Sequence, residues 1–127
     1  MGFQMNTHAI GDSTVSILLK EYQKVLNDID DPRWRIEHSQ VVDLNEFNLY
    51  NDKILPSVQP THATSDMYWA YDRLGKRIEG AYAFKDLLSS SKRIALGTDF
   101  PVERVNPFHT FYSSIERLSL IHISEPT

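Results

Sequence analysis

Residues 3–38 read FQMNTHAIGDSTVSILLKEYQKVLNDIDDPRWRIEH, and this stretch decides the fold. Phe3 to Thr7 is a short mixed apolar run ending at His8. Ala9-Ile10-Gly11-Asp12 then turns the chain, with Asp12 or Ser13 placed to cap a helix. Val15, Leu18, Leu19, Tyr22, Val25, Leu26 and Ile29 recur at helical spacing on one face, while Lys20, Glu21 and Lys24 take the other. Asp30-Asp31-Pro32 stops that helix, because proline has no amide hydrogen and its ring collides with the turn before it. Trp34 to His38 alternates and predicts a second strand. Strand, helix and strand within roughly 35 residues is the pattern of a parallel βαβ unit.

The pattern continues outward. Asp43 and Glu46 have the spacing of a capping box, which predicts a short helix bearing Phe47, Leu49 and Tyr50. Ile54 to Gln59 is a third strand, weakened by Pro56. Pro60 to Gly75 reads as a long loop rich in Asp66, Asp72, Tyr68, Trp69 and Tyr71, whose aromatic residues are expected to pack it. Ala81 to Ser91 is a helix with Ala81, Phe84, Leu87 and Leu88 inward. Arg93 to Gly97 is a fourth strand leading to Thr98-Asp99, and Asn106 to Arg117 is a helix with Pro107 in its first turn. The order predicts an α/β fold of parallel strands with right-handed crossovers.

Composition narrows the function. A chain of 127 residues with 41% hydrophobic and 24% charged residues has the length and make-up of one ordinary soluble domain, so disorder along its whole length is excluded. A formal net charge of -4 argues against nucleic acid as the partner, since phosphate binding needs a basic face. The absence of cysteine excludes disulfide scaffolds, thiolate zinc sites and cysteine nucleophiles. No apolar run approaches the roughly 18–20 residues of a membrane helix. Met1 to Asn6 lacks the basic and apolar regions of a signal peptide; no compartment follows from this, and the cytoplasm stands only as a default.

Three polar residues follow predicted strands: His8, His38 and Asp99. In a parallel α/β fold they share the sheet edge where ligands and catalytic groups collect. Imidazole and carboxylate are the usual ligands of zinc and similar ions, and such an ion supplies hydroxide near neutral pH. A carboxylate beside the attacking water can take its proton and hand it to the leaving group. The set therefore suits a metal-assisted hydrolase. His62 also follows a strand, as a substrate contact or a loop hydrogen-bonder, and Asp66 is a loop acid or a cap. His109 is expected on a helix surface, and Glu37, adjoining His38, in a salt bridge. The competing reading is a small non-catalytic α/β module that binds a ligand at its strand ends without metal.

Four strings resemble one known family. Thr7-His8-Ala9-Ile10-Gly11-Asp12, Arg35-Ile36-Glu37-His38-Ser39-Gln40, Gln59-Pro60-Thr61-His62-Ala63-Thr64-Ser65-Asp66-Met67 and Leu96-Gly97-Thr98-Asp99-Phe100-Pro101-Val102 are similar to amidohydrolase family 3, the YtcJ-like branch of the metal-dependent amidohydrolases. Leu74-Gly75, Gly80-Ala81-Tyr82 and Val105-Asn106-Pro107 agree, in order and with compatible spacing. The resemblance implies that residues 1–117 are the second half, strands 5 to 8, of a (β/α)8 barrel. It makes His8 and His38 metal ligands and Asp99 both ligand and general base. It places His62 and Asp66 in a substrate-contacting loop. It implies one or two divalent ions, zinc by expectation, and hydrolysis of amide or formamide carbon–nitrogen bonds in small molecules. The family's first-strand His-x-His does not occur in the chain, so the 127-residue polypeptide is expected to be inactive alone, with exposed sheet edges open to self-association. Residues 118–127 match the translation of a common transposase-based sequencing adapter and are expected to be non-native, which removes His122 from the ligand candidates.

Overall fold

The computed structural model describes residues 3–116. The adapter-like tail at 118–127 and its His122 lie outside them. The described chain divides into two compact units, one of residues 3–58 and 76–95 and the other of residues 59–75 and 96–116.

The first unit is built on parallel strands β1 (Asn6–Ala9), β2 (Trp34–His38) and β3 (Ile54–Val58). Sheet order follows chain order, and a fourth strand, β4, is only Ala95–Leu96. The predicted strand over Arg93 to Gly97 is shortened for a local reason. Lys92 is left-handed at the end of the preceding helix, so the chain enters the strand late, and the Ser91 hydroxyl lies 2.7 Å from the Leu87 carbonyl and 2.5 Å from that of Arg93. Pro56 does not break β3: it is buried in the middle of the strand and pairs in register with Ile36.

Helix α1 (Asp12–Leu26) connects β1 to β2. Its buried stripe is Val15, Leu19, Tyr22 and Leu26, at the i, i+4, i+7, i+11 spacing of one helical face. Val25 and Ile29, assigned to that face from sequence, are exposed, because the stripe is narrower than the apolar pattern. Neither Asp12 nor Ser13 caps the helix. Gly11 holds the cap position, and Asp12 pairs with Arg77 at 3.3 Å. The helix's last carbonyls are satisfied by Lys53, whose Nζ donates to Leu26 and Asn27 at 2.9 Å each. A cation suits that negative helix end.

The predicted capping box does not form. Asp43 Oδ1 accepts from the Asn45 amide at 2.9 Å, and Glu46 turns to Lys20 on α1 at 2.7 Å. The chain then makes a single 3-10 turn, Phe47–Leu49, in place of the predicted short helix. The core gathers α1's stripe with Ile36, Val42, Tyr50, Ile54, Val58 and Leu87. Leu87 comes from helix α3 (Phe84–Ser91), which starts three residues later than predicted and leaves Leu88 exposed. The delay has its cause in Ala81, which pairs with Val41 as an isolated antiparallel bridge. Beside it the Gly80 carbonyl accepts from the Val42 amide at 3.0 Å, and a Cβ on Gly80 would lie 1.9 Å from the Val42 carbonyl oxygen, so only glycine fits.

The second unit corrects the longest predicted loop. Residues Pro60–Leu74 are helix α2. Pro60 occupies its first turn, where a missing amide hydrogen costs nothing, and Ala63, Met67, Ala70 and Leu74 form a helical stripe. Tyr68, Trp69 and Tyr71 fall on other faces and are exposed rather than packing a loop. Helix α4 (Pro107–Ile115) packs on α2, capped by Asn106 Oδ1, which accepts from the amides of Phe108 and His109. No helix among the described residues is long and apolar enough to cross a membrane.

The stripe makes a direct prediction. Leu19→Ala should destabilise the chain by about 2–5 kcal/mol, the cost of a core cavity, whereas Ile17→Ala, on the exposed face of the same helix, should stay within about 0.5 kcal/mol. Urea unfolding midpoints of the two variants would measure this.

Candidate functional site

The ladder sets the site in the first unit. Asn6, Thr7, His8 and Ala9 pair with Arg35, Ile36, Glu37 and His38, so β1 and β2 end level with each other. His8 is the last but one residue of β1 and is exposed; His38 is the last residue of β2 and is buried. Their rings meet edge to face, with centroids 4.6 Å apart.

Strand alternation alone would not produce that contact. His38 shares its parity with Ile36 on the core face, while His8 is in register with Glu37 on the other. The backbone makes the difference. His38 has φ of 74° and Ser39 φ of 44°, two consecutive left-handed residues that are not glycine. Such residues cost on the order of 1–3 kcal/mol each and persist only where their surroundings hold them. Here the surroundings are explicit. The Ser39 amide donates to the Ala9 carbonyl at 3.1 Å and the Val41 amide to Ile10 at 3.0 Å. The Ser39 hydroxyl donates to the Ile36 carbonyl at 3.0 Å and accepts from the buried Tyr50 hydroxyl at 2.8 Å. Gln40 is clamped to Tyr82 by the Tyr82 amide and the phenol, at 2.8 and 3.0 Å. Burial pushes the Tyr50 phenol well above its ordinary value. On the His8 face, Glu37 pairs with Arg35 at 2.9 Å, the salt bridge the sequence predicts.

The second unit carries its own pair. His62 lies in the first turn of α2, buried, with Nε2 3.7 Å from Asp99 Oδ2. Asp99 is left-handed at φ 54°, more exposed than His62, and its carbonyl accepts from the Val102 amide at 2.8 Å. Asp66 lies one helical turn beyond His62 on α2, half-buried. His109 is exposed on α4, as its sequence position predicts.

Two imidazoles in contact at a strand edge, and a carboxylate beside a third imidazole, are the nitrogen and oxygen donors that zinc and related ions take. The donor set fits a divalent metal. The roles of Ser39 and Tyr50 were not visible in the spacing of the sequence, since their contact is made across 11 residues of irregular chain. The helical setting of His62 was signalled by Pro60.

A profile of the amidohydrolase family matches residues 1–119. LONG AFTER FAR-RED 3 of Arabidopsis thaliana is 34% identical over 122 residues, which cover 92% of this chain and 21% of that protein. YtcJ of Bacillus subtilis (strain 168) is 36% identical over 127 residues, 93% of this chain and 22% of that protein. Two solved structures of uncharacterized metal-dependent hydrolases, from Pyrococcus horikoshii OT3 and Pyrococcus furiosus, resemble it with a TM-score of 0.76 and 30% identity each. They match over 91% and 88% of this chain and 23% of their own. The chain thus spans about a fifth of the length of the curated relatives it matches.

Tyr50 gives the site a pH signature. Its phenol ionises near the ordinary value of 10 in the unfolded chain but stays protonated above that when folded. The unfolded state then holds fewer protons, so stability is complete below pH 10 and falls above it by up to about 1.4 kcal/mol per pH unit. Urea midpoints between pH 9 and 11 should fall more steeply for the wild-type chain than for Tyr50→Phe.

Proposed function

The chain belongs to the amidohydrolase family, and from that premise we propose that it is a segment of a metal-dependent hydrolase acting on amide or formamide carbon–nitrogen bonds of small molecules. In this reading residues 1–117 are the second half of a (β/α)8 barrel, with β1 to β4 as its strands 5 to 8. His8, His38 and Asp99 are the metal ligands, zinc being the expected ion. The observation that carries the proposal is the contact of His8 and His38 at 4.6 Å, made through a strained backbone that simple strand alternation would not supply.

A divalent ion held there supplies Lewis acidity, which lowers the pKa of water and polarises a carbonyl. The chain's own groups do the rest. Asp99 takes the proton of the attacking water and returns it to the departing nitrogen. His62, 3.7 Å from Asp99, orients that carboxylate and contacts the substrate, with Asp66 one turn further along the helix. His8 and His38 present imidazole nitrogens. The 127-residue chain alone is inactive in this reading, because it contains no His-x-His.

Equilibrium dialysis against Zn2+, with bound metal counted by mass spectrometry, tests the ligand assignment. The wild-type chain should take up zinc weakly. His38→Ala should abolish uptake, and Asp99→Asn should reduce it by more than the roughly 10–100-fold that loss of an outer-shell partner costs. Uptake that is the same in all three would remove the metal reading and leave the non-catalytic module. The wild-type chain should release no amine from an N-formyl substrate. Turnover that Asp99→Asn abolishes would overturn the expected inactivity.

A further inference from the structure

We propose that Tyr50, acting through Ser39, is a positioning residue that holds the His38 imidazole where it can bind metal. The inference rests on the reading of His38 as a ligand and adds a residue to that site.

Tyr50 is 2% exposed, and a hydroxyl carried that deep costs free energy unless it is bonded. Phenylalanine would fill the same volume at no such cost. The hydroxyl does not meet a spare backbone carbonyl. It donates to Ser39, the residue after His38, which itself sits in a conformation where glycine would be the ordinary choice. The serine hydroxyl has one proton, and it goes to the Ile36 carbonyl. The direction of the chain is therefore complete: phenol to serine to the strand residue two before His38. With the Ser39 amide bonded to Ala9, the residue after His8, Ser39 ties together the ends of both histidine-bearing strands. Removing the phenol proton donor frees the serine hydroxyl to rotate, and the left-handed turn that brings His38 against His8 loses one of its restraints. Outer-shell partners of metal-binding histidines act in this way, by fixing ring orientation.

A core tyrosine with a purely structural hydroxyl makes a different prediction, and a second tyrosine provides the control. Tyr22 is also buried, and its hydroxyl lies 2.5 Å from Thr7 Oγ1 and 3.5 Å from the Arg35 carbonyl, with no bond to Ser39. Co2+ would be titrated into the purified 127-residue chain and followed by its visible absorption, with far-UV circular dichroism confirming the fold. Tyr50→Phe should weaken Co2+ binding about 10-fold or more and shift the His38 ring resonances of the metal-free chain. Tyr22→Phe should lower thermal stability and leave both readings unchanged. Ser39→Gly should lose affinity as Tyr50→Phe does, although glycine relieves the strain, and it decides the matter if Tyr50→Phe fails to fold. Equal Co2+ affinity and unchanged His38 resonances in Tyr50→Phe overturn the inference alone. A wild-type chain that binds no Co2+ overturns the ligand reading and this inference with it.

Discussion

The parallel ladder between Asn6–Ala9 and Trp34–His38 is the constraint on which the first unit depends. Its register assigns every side chain to a face. Thr7 and Ile36 go to the side covered by α1, where Thr7 meets the Tyr22 hydroxyl and Ile36 is fully buried. Asn6, His8, Arg35 and Glu37 go to the other. A slip of one residue would exchange the two sets, burying charge beneath the helix and exposing the core. The core and the polar face are thus two consequences of a single pairing, and the α1 stripe selects that pairing over its neighbours.

At its C-terminal end the ladder is bent out of its own rule. His38 belongs by parity to the core face, yet its ring lies against that of His8. Two left-handed residues accomplish the redirection, and hydrogen bonds to Ala9, Ile10, Ile36, Tyr50 and Tyr82 surround them. Strain held by so many partners is the mark of a position whose geometry matters more than its local cost. Asp99 in the second unit has the same left-handed character. Both are residues that the proposed function takes as ligands.

Membership of the amidohydrolase family accounts for the parallel sheet, and the likeness to metal-dependent hydrolases at 30% identity extends over about nine-tenths of the chain. It also sets a scale: the chain spans about a fifth of its curated relatives. The donor types at the strand edge are those that divalent metals take.

The sequence by itself determined the strand–helix–strand frame, the α/β class and the residues worth watching. Those features rest on short-range physics: an apolar stripe repeats every turn, a strand alternates, and proline ends or begins a helix wherever it stands. Local signals failed where two of them competed. Pro60 and an apolar stripe of Ala63, Met67, Ala70 and Leu74 made α2 from a segment whose aromatic and acidic content read as a loop. Glu46 found Lys20, 26 residues away in the chain, and left its capping box unmade. The left-handed helix end at Lys92 left Arg93 outside the strand. The site was legible as a list, His8, His38, His62 and Asp99, but not as an arrangement. Only the tertiary structure decided that His8 touches His38, that His62 stands beside Asp99, and that Tyr50 reaches Ser39. Each of these contacts depends on a backbone angle or a buried hydrogen bond whose partner is distant in the chain, and no periodicity encodes that.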